Sequence, residues 1–486
     1  MNRPLRRLAL VVLLMMGALL INVNYLQAVA AGSYANKPGN VRTIYDEYAL
    51  QRGPIIVDGA PIAESVKTSG RLTYLRTYAN GPMYAPVTGF YSLVYGTSGI
   101  EAAENSILSG SSSNLFVSRL RDLLTGQAPR GGSVTLTLNA AAQKAAYDGL
   151  AGRAGAVVAI QPSTGAILAL ASSPSYNPNL LSSHDPQSIT KAWQSLQVDP
   201  SNPMLDRPLT RTYPPGSTFK IVTTAALLAS GRFTPTTPVP GPAALPLPGT
   251  SITLPNEDKQ PCTPGQTMTT MAQAFRFSCN ATYGYMAMKV GWQAIYHQAS
   301  AFGFGHSWMI PMASAPSVFP QNLNLPQTAQ SAIGQFDTAA TALQMAVTTA
   351  AIANHGTVMN PYLVSQVQGP DLAILSRTQP SVYDQATTPQ IAAEITDMMV
   401  SVVQSGTGVN GAIPGVSVAG KTGTAQHGGN QRPDAWFVAF APSANPQVAV
   451  AVLVENGGGP NGPSFVSGNG LAAPIAKSVI EAVLGK

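Results

Sequence analysis

Charged side chains are scarce in this sequence, and their distribution excludes one broad class of function. Only 10% of the 486 residues are Asp, Glu, Lys or Arg, and the formal net charge is +6. No basic run follows the first seven residues, so the chain lacks the electrostatic footprint of a nucleic-acid-binding protein. Hydrophobic residues make up 45% of the chain, which is enough for a large core, and the length predicts two or three domains.

Metal-binding and nucleotide-binding patterns are also missing or weak. The five histidines are scattered, and none has the close His, Cys or acidic neighbours of a zinc site. One dinucleotide-type pattern, Gly457-x-Gly459-x-x-Gly462, has no helix directly after it and is interpreted as a loop. We therefore expect neither a metal nor a cofactor. The two cysteines, Cys262 and Cys279, form one disulfide or remain two buried thiols, and the sequence leaves both alternatives open.

The N-terminus carries a long apolar run. Three arginines among the first seven residues precede Leu8 to Ile21, and weaker apolar character continues to Ala31. This segment is long enough to span a bilayer as a helix of about 20 residues. It is either an uncleaved anchor, which we favour, or a signal peptide cleaved near Ala28-Val29-Ala30. The positive-inside bias then predicts a single-pass membrane protein with the remaining chain outside the cytoplasm.

The chain divides into four predicted segments. Residues 1–31 are a cytoplasmic stub and signal anchor, and residues 32–130 are an N-terminal pedestal or interaction domain in which no reactive constellation assembles. Residues 131–152 form a connector that follows a Pro/Gly-rich link. Residues 153–486 form a second, larger domain.

Strand and helix patterns in the larger domain predict its fold class. Two strand-like runs, Gly155 to Ile160 and Ala166 to Ala171, form a hairpin at its start. Helical runs follow at 221–229, 268–288, 338–354, 390–404 and 471–484, and strand-like runs at 415–424, 435–441 and 448–454. A late antiparallel sheet with helices packed on it is typical of an α+β fold.

One stretch in this domain, Tyr213 to Lys220, combines a nucleophile with a base. Pro214-Pro215-Gly216 leads into Ser217, and Lys220 follows just before an apolar helical run. Ser217 would lie at the helix start, with Lys220 one turn on along the same face. A serine is a weak nucleophile until a base takes its proton, and a lysine kept neutral by burial or a nearby cation can be that base. A capping serine and a surface lysine would give the same pattern.

Two later motifs favour the catalytic interpretation. Ser278-Cys279-Asn280 and Lys421-Thr422-Gly423-Thr424 follow the serine in that order. The succession Ser-x-x-Lys, Ser-x-Asn and Lys-Thr-Gly is the signature of penicillin-binding proteins and related serine β-lactamases. Taken singly, the second motif could be a helix cap and the third an exposed strand end. Three matches in the required order outweigh these separate alternatives.

Flanking elements extend the resemblance. The chain resembles a class B penicillin-binding protein, and within that family the penicillin-binding protein A group of actinobacteria. Arg52-Gly53-Pro54-Ile55 matches the Arg-Gly-x-Ile element of class B N-terminal domains, and the stretches Gly155 to Pro178, Ile352 to Gly356 and Ala435 to Phe440 fit the transpeptidase domain. The resemblance implies that residues 153–486 are a penicillin-binding transpeptidase domain.

The resemblance also implies a substrate and a role for each motif residue. The substrate is the D-alanyl-D-alanine end of a peptidoglycan stem peptide. Ser217 attacks the penultimate D-alanine, and Lys220 accepts the serine proton. Ser278 relays a proton to the leaving nitrogen, Lys421 orients Ser278, and Asn280 hydrogen-bonds the peptide backbone.

The third motif is expected to bind substrate. The strand Lys421 to Thr424 would pair with the extended stem peptide as an added strand. The hydroxyls of Thr422 and Thr424 and the charge of Lys421 suit the terminal carboxylate, and Gly423 leaves room for the acyl group. Backbone N–H groups of Ser217 and Thr424 would form the oxyanion hole.

The fate of the acyl-enzyme separates the alternatives. Attack by an amine of a neighbouring stem makes a crosslink, whereas attack by water makes a carboxypeptidase or a β-lactamase. Class A β-lactamases use a glutamate to activate that water. The only glutamate between Asn280 and Lys421 is Glu394, in a predicted helix, so we expect slow hydrolysis and stable acylation by β-lactams. A non-catalytic sensor of β-lactams or muropeptides is the competing class.

The resemblance further implies partners. Stem peptides and the lipid-linked precursor are the expected substrates, and β-lactams are the expected inhibitors. About 100 residues between anchor and connector leave no room for a glycosyltransferase domain. A separate membrane glycan polymerase and proteins of division or elongation are therefore the expected partners, and no nucleic acid is.

Overall fold

The computed structural model describes residues 2–29, 47–112, 115, 130–426, 432–457 and 468–486. The pattern Gly457-x-Gly459-x-x-Gly462 lies largely outside these residues. Helix α1 (Asn2–Asn24) comes first among the described residues and continues as a short π-helix, Tyr25–Val29. The segment Arg3–Gln27 is long and apolar enough to cross a membrane, and the other described residues bury none of it.

The remaining helices and the strands follow in chain order. The helices are α2 (Gly81–Thr88), α3 (Gly99–Ala103), α4 (Asn105–Leu108), α5 (Ala140–Leu150), α6 (Pro186–Val198), α7 (Arg207–Thr210), α8 (Lys220–Ala229), α9 (Met271–Arg276), α10 (Asn280–Val290), α11 (Trp292–Ala301), α12 (Leu325–Ser331), α13 (Ala342–Ala353), α14 (Pro389–Ser405) and α15 (Gly468–Leu484). The strands are β1 (Ile55–Val57), β2 (Ala60–Lys67), β3 (Tyr74–Tyr78), β4 (Tyr91–Ser92), β5 (Gly96–Thr97), β6 (Ser133–Leu136), β7 (Gly155–Ile160), β8 (Ile167–Ser173), β9 (Pro238–Pro240), β10 (Ala244–Pro246), β11 (Thr253–Pro255), β12 (Met268–Thr270), β13 (Thr357–Met359), β14 (Val364–Gln368), β15 (Ile374–Arg377), β16 (Val382–Gln385), β17 (Ala419–Ala425), β18 (Asp434–Ala441) and β19 (Val448–Val454).

A six-stranded sheet joins distant parts of the chain. Its order is β15-β14-β6-β1-β2-β3, in which β1 and β6 are parallel and the other neighbours antiparallel. Strands β14 and β15 come from the second half of the chain. Beside this sheet, the buried carboxylate of Glu101 accepts hydrogen bonds from Arg52 Nε and Arg76 Nε, each at 2.6 Å. Because β14 pairs with β6, backbone hydrogen bonds join the N-terminal strands of this sheet to the larger domain.

The second, five-stranded sheet forms the centre of the larger domain. Its order is β17-β18-β19-β7-β8, and every neighbouring pair is antiparallel. Alternate side chains point to opposite faces, as strand geometry requires. Val438 and its neighbours on one face share a core with α13, and Phe437 and its neighbours on the other face share a core with α5 and α15. The predicted α+β fold is confirmed.

Strand β17 is an edge of this sheet and packs on a 3₁₀ turn, Gly216–Phe219. Two glycines permit the close approach. A Cβ on Gly216, whose φ is +53°, would lie 2.8 Å from Thr424 O. A Cβ on Gly423 would lie 2.9 Å from Thr218 Cγ2 and 3.0 Å from Pro215 O. The cleft therefore lies where the sheet edge meets the helical part.

The helix predicted at 268–288 is interrupted, so the expectation of one continuous helix is wrong. Residues 268–270 form β12, and the helical part splits into α9 and α10. Ser278 between them has φ +60°, a left-handed conformation that does not continue a right-handed helix. The hydrogen bond from Cys279 N to Ala274 O, at 2.9 Å, closes the corner. The second motif thus lies at a helix–helix corner.

Candidate active site

The three motifs lie around one cleft at the edge of the central sheet. Ser217 is half-buried in the 3₁₀ turn that leads into α8. The turn is held by a hydrogen bond from Gly216 N to Gly334 O, at 3.0 Å. Proline is natural here, because its fixed φ suits the entry to a helix. The predicted placement of the serine just before the helix is therefore what the structure has.

Lys220 is fully buried at the start of α8. Its Nζ donates to Ser278 O at 2.7 Å and to Asn280 Oδ1 at 2.8 Å, and lies 3.3 Å from Ser278 Oγ. Burial, followed by the nearby Lys421 ammonium, lowers the pKa of Lys220 well below its ordinary value, against the opposing charge of Glu257. A neutral amine has two N–H bonds, so two donations to oxygen leave its lone pair available to take a proton.

Ser278 bridges the two lysines. Its Oγ lies 2.8 Å from Lys421 Nζ, which also donates to Thr422 O at 3.0 Å. Lys421 is fully buried in β17, and burial lowers its pKa to about 7, again opposed by the charge of Glu257. One hydroxyl is therefore in contact with both amines, which is the arrangement a proton relay needs.

Two aromatic rings border the amines, and nothing in the motifs predicted them. Lys220 Nζ lies 5.2 Å from the centroid of the Tyr283 ring, and Lys421 Nζ lies 5.7 Å from that of Phe275. The Tyr283 hydroxyl is hydrogen-bonded to Thr224 Oγ1 at 2.7 Å. These rings remove water from the amines, yet their faces can still stabilise a transient positive charge.

The second motif is joined to the loop between β11 and β12. Cys279 forms a disulfide with Cys262, with the Cα atoms 5.6 Å apart. Of the two alternatives left open by the sequence, a disulfide or two buried thiols, the structure contains the disulfide. Asn280 starts α10, and its Nδ2 donates to Pro255 O at 3.3 Å. Loop and motif therefore hold one wall of the cleft together.

The third motif presents its alternate residues to the cleft. Thr422 and Thr424 both border it, and Thr422 Oγ1 lies 2.6 Å from Thr407 Oγ1. Gly423 faces the opposite side, where a Cβ would lie 3.0 Å from Trp436 Cβ as well as close to the serine turn. Gly423 therefore permits close packing here, and its predicted role of leaving room for an acyl group stays a prediction.

The cleft has two lobes. One, of about 280 Å³, is bordered by Ser278 and Thr422 and is called the Ser278 lobe. The other, of about 220 Å³, is bordered by Ser217 and Asn280 and is called the Ser217 lobe. Asn256, Glu257 and Thr424 border both lobes. Asn256 and Glu257 lie in the loop between β11 and β12 and belong to no motif that could have identified them from the sequence.

A buried network supports the turn before Ser217. Glu455 Oε1 accepts hydrogen bonds from Tyr213 OH at 2.7 Å and from Arg207 Nε at 2.8 Å. Trp436 Nε1 donates to Pro214 O at 3.0 Å. These contacts join β18 and the end of β19 to the proline pair, so the position of the serine depends on residues more than 200 positions away.

Family models match both parts of the chain. The penicillin binding protein transpeptidase domain matches residues 155–481, and the penicillin binding protein A dimerisation domain matches residues 52–134. The peptidoglycan D,D-transpeptidase PbpA of Mycolicibacterium smegmatis is 45% identical over 100% of this chain and 99% of its own. PbpA of Mycobacterium tuberculosis H37Rv is 44% identical with the same coverage.

Solved structures agree with these sequence relatives. The imipenem acyl-enzyme complex of penicillin-binding protein A from M. tuberculosis matches with a TM-score of 0.86 and 45% identity, over 90% of this chain and 100% of that one. The penicillin G acyl-enzyme complex matches with a TM-score of 0.85 and 44% identity, at the same coverage. The chain belongs to the class B penicillin-binding proteins, in the penicillin-binding protein A group.

Proposed function

We propose that this chain is a serine D,D-transpeptidase that crosslinks peptidoglycan stem peptides and is acylated by β-lactams. The observation that carries the proposal is the Ser278 hydroxyl in contact with two buried lysine amines, beside the lobe that Ser217 borders. The relatives named peptidoglycan D,D-transpeptidase and the acyl-enzyme structures of the group support the same reaction. The site needs no metal or cofactor for this chemistry.

Acylation uses the Ser217 hydroxyl and the neutral amine of Lys220. A C–O bond forms between Ser217 Oγ and the carbonyl carbon of the penultimate D-alanine, and Lys220 Nζ takes the hydroxyl proton. The C–N bond to the terminal D-alanine then breaks. The proton passes from Lys220 through Ser278 Oγ, 3.3 Å away, to the leaving nitrogen. Lys421 holds Ser278 Oγ in place from the other side.

The donor peptide binds along β17, the edge strand of the central sheet that borders the cleft. Main-chain pairing with an edge strand aligns an extended peptide, and Thr422 and Thr424 face the cleft from that strand. The Asn280 amide holds the peptide backbone from the opposite wall. Backbone N–H groups of Ser217 and Thr424 stabilise the oxyanion, and the loss of one such donor typically costs about 10²–10³ in rate.

The architecture assigned from the sequence completes the proposal. Residues 1–31 are the cytoplasmic stub and anchor, 32–130 the pedestal, 131–152 the connector and 153–486 the transpeptidase domain, which lies outside the cytoplasm. The single apolar N-terminal helix and the two matched domains support this division. The substrates are stem peptides and their lipid-linked precursor. A membrane glycan polymerase supplies the strands, and proteins of division or elongation are further partners.

Replacing the nucleophile tests the reaction. The full-length chain and its Ser217→Ala variant, in detergent, are labelled with a fluorescent penicillin and assayed for crosslinks formed from lipid-linked precursor with a glycan polymerase. Wild type should show both signals and the variant neither. Ser195→Ala, on the exposed face of α6, is the matched control. Undiminished labelling of Ser217→Ala would refute the assignment, and wild-type labelling without crosslinks would favour a carboxypeptidase or a sensor.

A further inference from the structure

One acidic residue at the cleft takes no proton and forms no bond in the acylation steps, although its charge raises the pKa of both lysines. Glu257 lies in the loop between β11 and β12, is exposed and borders both lobes. Within the described residues its carboxylate makes no hydrogen bond or ion pair. It is also the only acidic side chain among the described residues that border the Ser217 lobe. An unpaired carboxylate at this position is available to a ligand.

The backbone that carries Glu257 is fixed to the catalytic wall. The preceding residue, Asn256, is buried, and its Oδ1 accepts a hydrogen bond from Ala281 N in α10 at 3.0 Å. Its Nδ2 donates to Pro242 O at 3.0 Å, and its backbone N donates to Ala243 O at 2.9 Å. The disulfide of Cys262 anchors the far end of the same loop. Glu257 is therefore held at the mouth, not carried on a free loop.

The charges around the cleft favour a cationic ligand at this carboxylate. Lys220 and Lys421 lie fully buried below it, and burial opposes their charged forms. Lys259, an exposed cation, borders the Ser217 lobe as well, but it has no ion pair with Glu257. When the buried amines are neutral, Glu257 makes the mouth of the cleft locally negative, and such a field concentrates cations.

We propose that Glu257 binds the ammonium group of the acceptor stem and guides its nitrogen to the acyl-Ser217 ester. This inference rests on the proposed transpeptidase function and specifies the second half of that reaction. The donor peptide occupies the edge of β17, and the acceptor is assigned to the Ser217 lobe, which the nucleophile borders. A primary amine of lysine type has an ordinary pKa of about 10.4 and therefore arrives charged at neutral pH. Among the described residues that border this lobe, the one carboxylate is that of Glu257.

The chemistry of the transfer balances with this placement. The acceptor ammonium first gives one proton to solvent at the open mouth and becomes a neutral amine. Its nitrogen then forms a C–N bond to the carbonyl carbon, and the bond from that carbon to Ser217 Oγ breaks. The second proton passes from the nitrogen through Lys220 to Ser217 Oγ, which restores the hydroxyl. Glu257 binds and positions the amine and does not itself bond to carbon.

The test separates acceptor binding from acylation. The full-length chain in detergent is given a D-alanyl thioester donor, and product amide and product acid are measured by mass spectrometry. Nα-acetyl-lysine amide, an ammonium at neutral pH, and hydroxylamine, which is largely uncharged there, serve as two acceptors. Glu257→Gln should raise the half-saturating concentration of the lysine acceptor by about tenfold, because one charge-assisted contact is lost. Transfer to hydroxylamine should change by less than about twofold, since it carries no charge to bind.

Controls make the outcomes distinct. Glu257→Asp keeps the charge and should restore much of the affinity for the lysine acceptor, and Asp258→Asn, the adjacent exposed carboxylate, should leave it unchanged. Equal losses with both acceptors, no loss with either, or the same loss in Asp258→Asn would overturn the proposal. A longer lifetime of the acyl-enzyme in Glu257→Gln, without any effect on either acceptor, would instead assign Glu257 to the activation of water. Penicillin labelling that is absent in wild type would reject the proposed function itself, independently of Glu257.

Discussion

Lys421 Nζ donates a hydrogen bond to Ser278 Oγ at 2.8 Å, joining two motifs that lie 143 residues apart in the chain. The same hydroxyl lies 3.3 Å from Lys220 Nζ. The Ser278 hydroxyl thus lies between the amines of Lys220 and Lys421, and both amines are fully buried. Burying two lysines beside each other is unfavourable for their charged forms. Burial therefore favours the neutral amine that the reaction needs, and it lowers the free energy of unfolding wherever the lysines are charged.

The first prediction concerns the base itself. Lys220→Ala should lower the second-order rate of acylation by a labelled penicillin by about 10²–10⁴, the usual contribution of general-base catalysis. Lys220→Arg should lower it comparably, because a guanidinium keeps its proton at every accessible pH. A far-ultraviolet spectrum like that of wild type is the control for folding. Rapid acylation by either variant would contradict a neutral Lys220 as the base.

The second prediction concerns pH. The pKa of Lys220 lies well below its ordinary value and that of Lys421 lies at about 7. The acylation rate should rise with pH while Lys220 loses its proton, and should fall above pH about 7 as Lys421 loses the charge that attracts the substrate carboxylate. Stopped-flow acylation from pH 4 to 10 measures both limbs. Lys421→Arg should weaken the alkaline limb, and an unchanged limb in that variant would assign it to another group.

The same shifts have a consequence for stability, which is the third prediction. The folded-state pKa of Lys421 is about 7, below its unfolded value, so the unfolded chain binds more protons between these two values. The free energy of unfolding therefore rises with pH from about 7 to about 10.4 on account of this group. Lys421→Met removes the penalty, so its Tm should exceed that of wild type at pH 6 by at least about 2 °C. A lower Tm in the variant would show that the contacts of the amine outweigh its burial.

The motifs and the fold class were predictable because each depends on residues close together in the chain. Ser217 and Lys220 share a single turn, and the strands of the central sheet read as short apolar runs. The antiparallel sheet packed with helices followed from that pattern alone. Residues that form one motif carry their own spacing, so no tertiary information was needed to find them.

The remaining features depend on contacts between distant segments. Glu455 and Tyr213 are hydrogen-bonded across 242 positions, and strands β14 and β15 complete a sheet that begins at residue 55. Neither contact produces a pattern that can be recognised in a short stretch of sequence. The break of the helix at Ser278 also depends on distant segments. The apolar residues on both sides of it predict a continuous helix, and only the disulfide and the contacts with the two lysines require a corner. Glu257 lies in a loop whose composition predicts nothing beyond a turn.

The fourth prediction concerns the disulfide. It closes a loop with a sequence separation of 17 between Cys262 and Cys279, which contributes about 3 kcal/mol in the chain-entropy model. Replacing both cysteines by alanine should lower the Tm, and reductant should lower the Tm of wild type but not that of the double variant. Intact mass should fall by two hydrogens relative to the reduced chain. A Tm that reductant does not affect would show that this bond adds nothing to stability.

The fifth prediction tests the contact between β17 and the serine turn. Gly423→Ala places a methyl group 2.9 Å from Thr218 Cγ2 and 3.0 Å from Trp436 Cβ, so the strand must move away from the turn. Overpacking of this kind typically costs about 1–3 kcal/mol, and the acylation rate should fall because the oxyanion donors on the two elements separate. Gly70→Ala, which meets no atom closer than 4.0 Å, is the control and should change neither quantity. If Gly423→Ala lowered the Tm and left acylation intact, the two elements would not position the reaction together. If it lowered acylation and left the Tm intact, Gly423 would act on the acyl group directly, as its place in the third motif predicts.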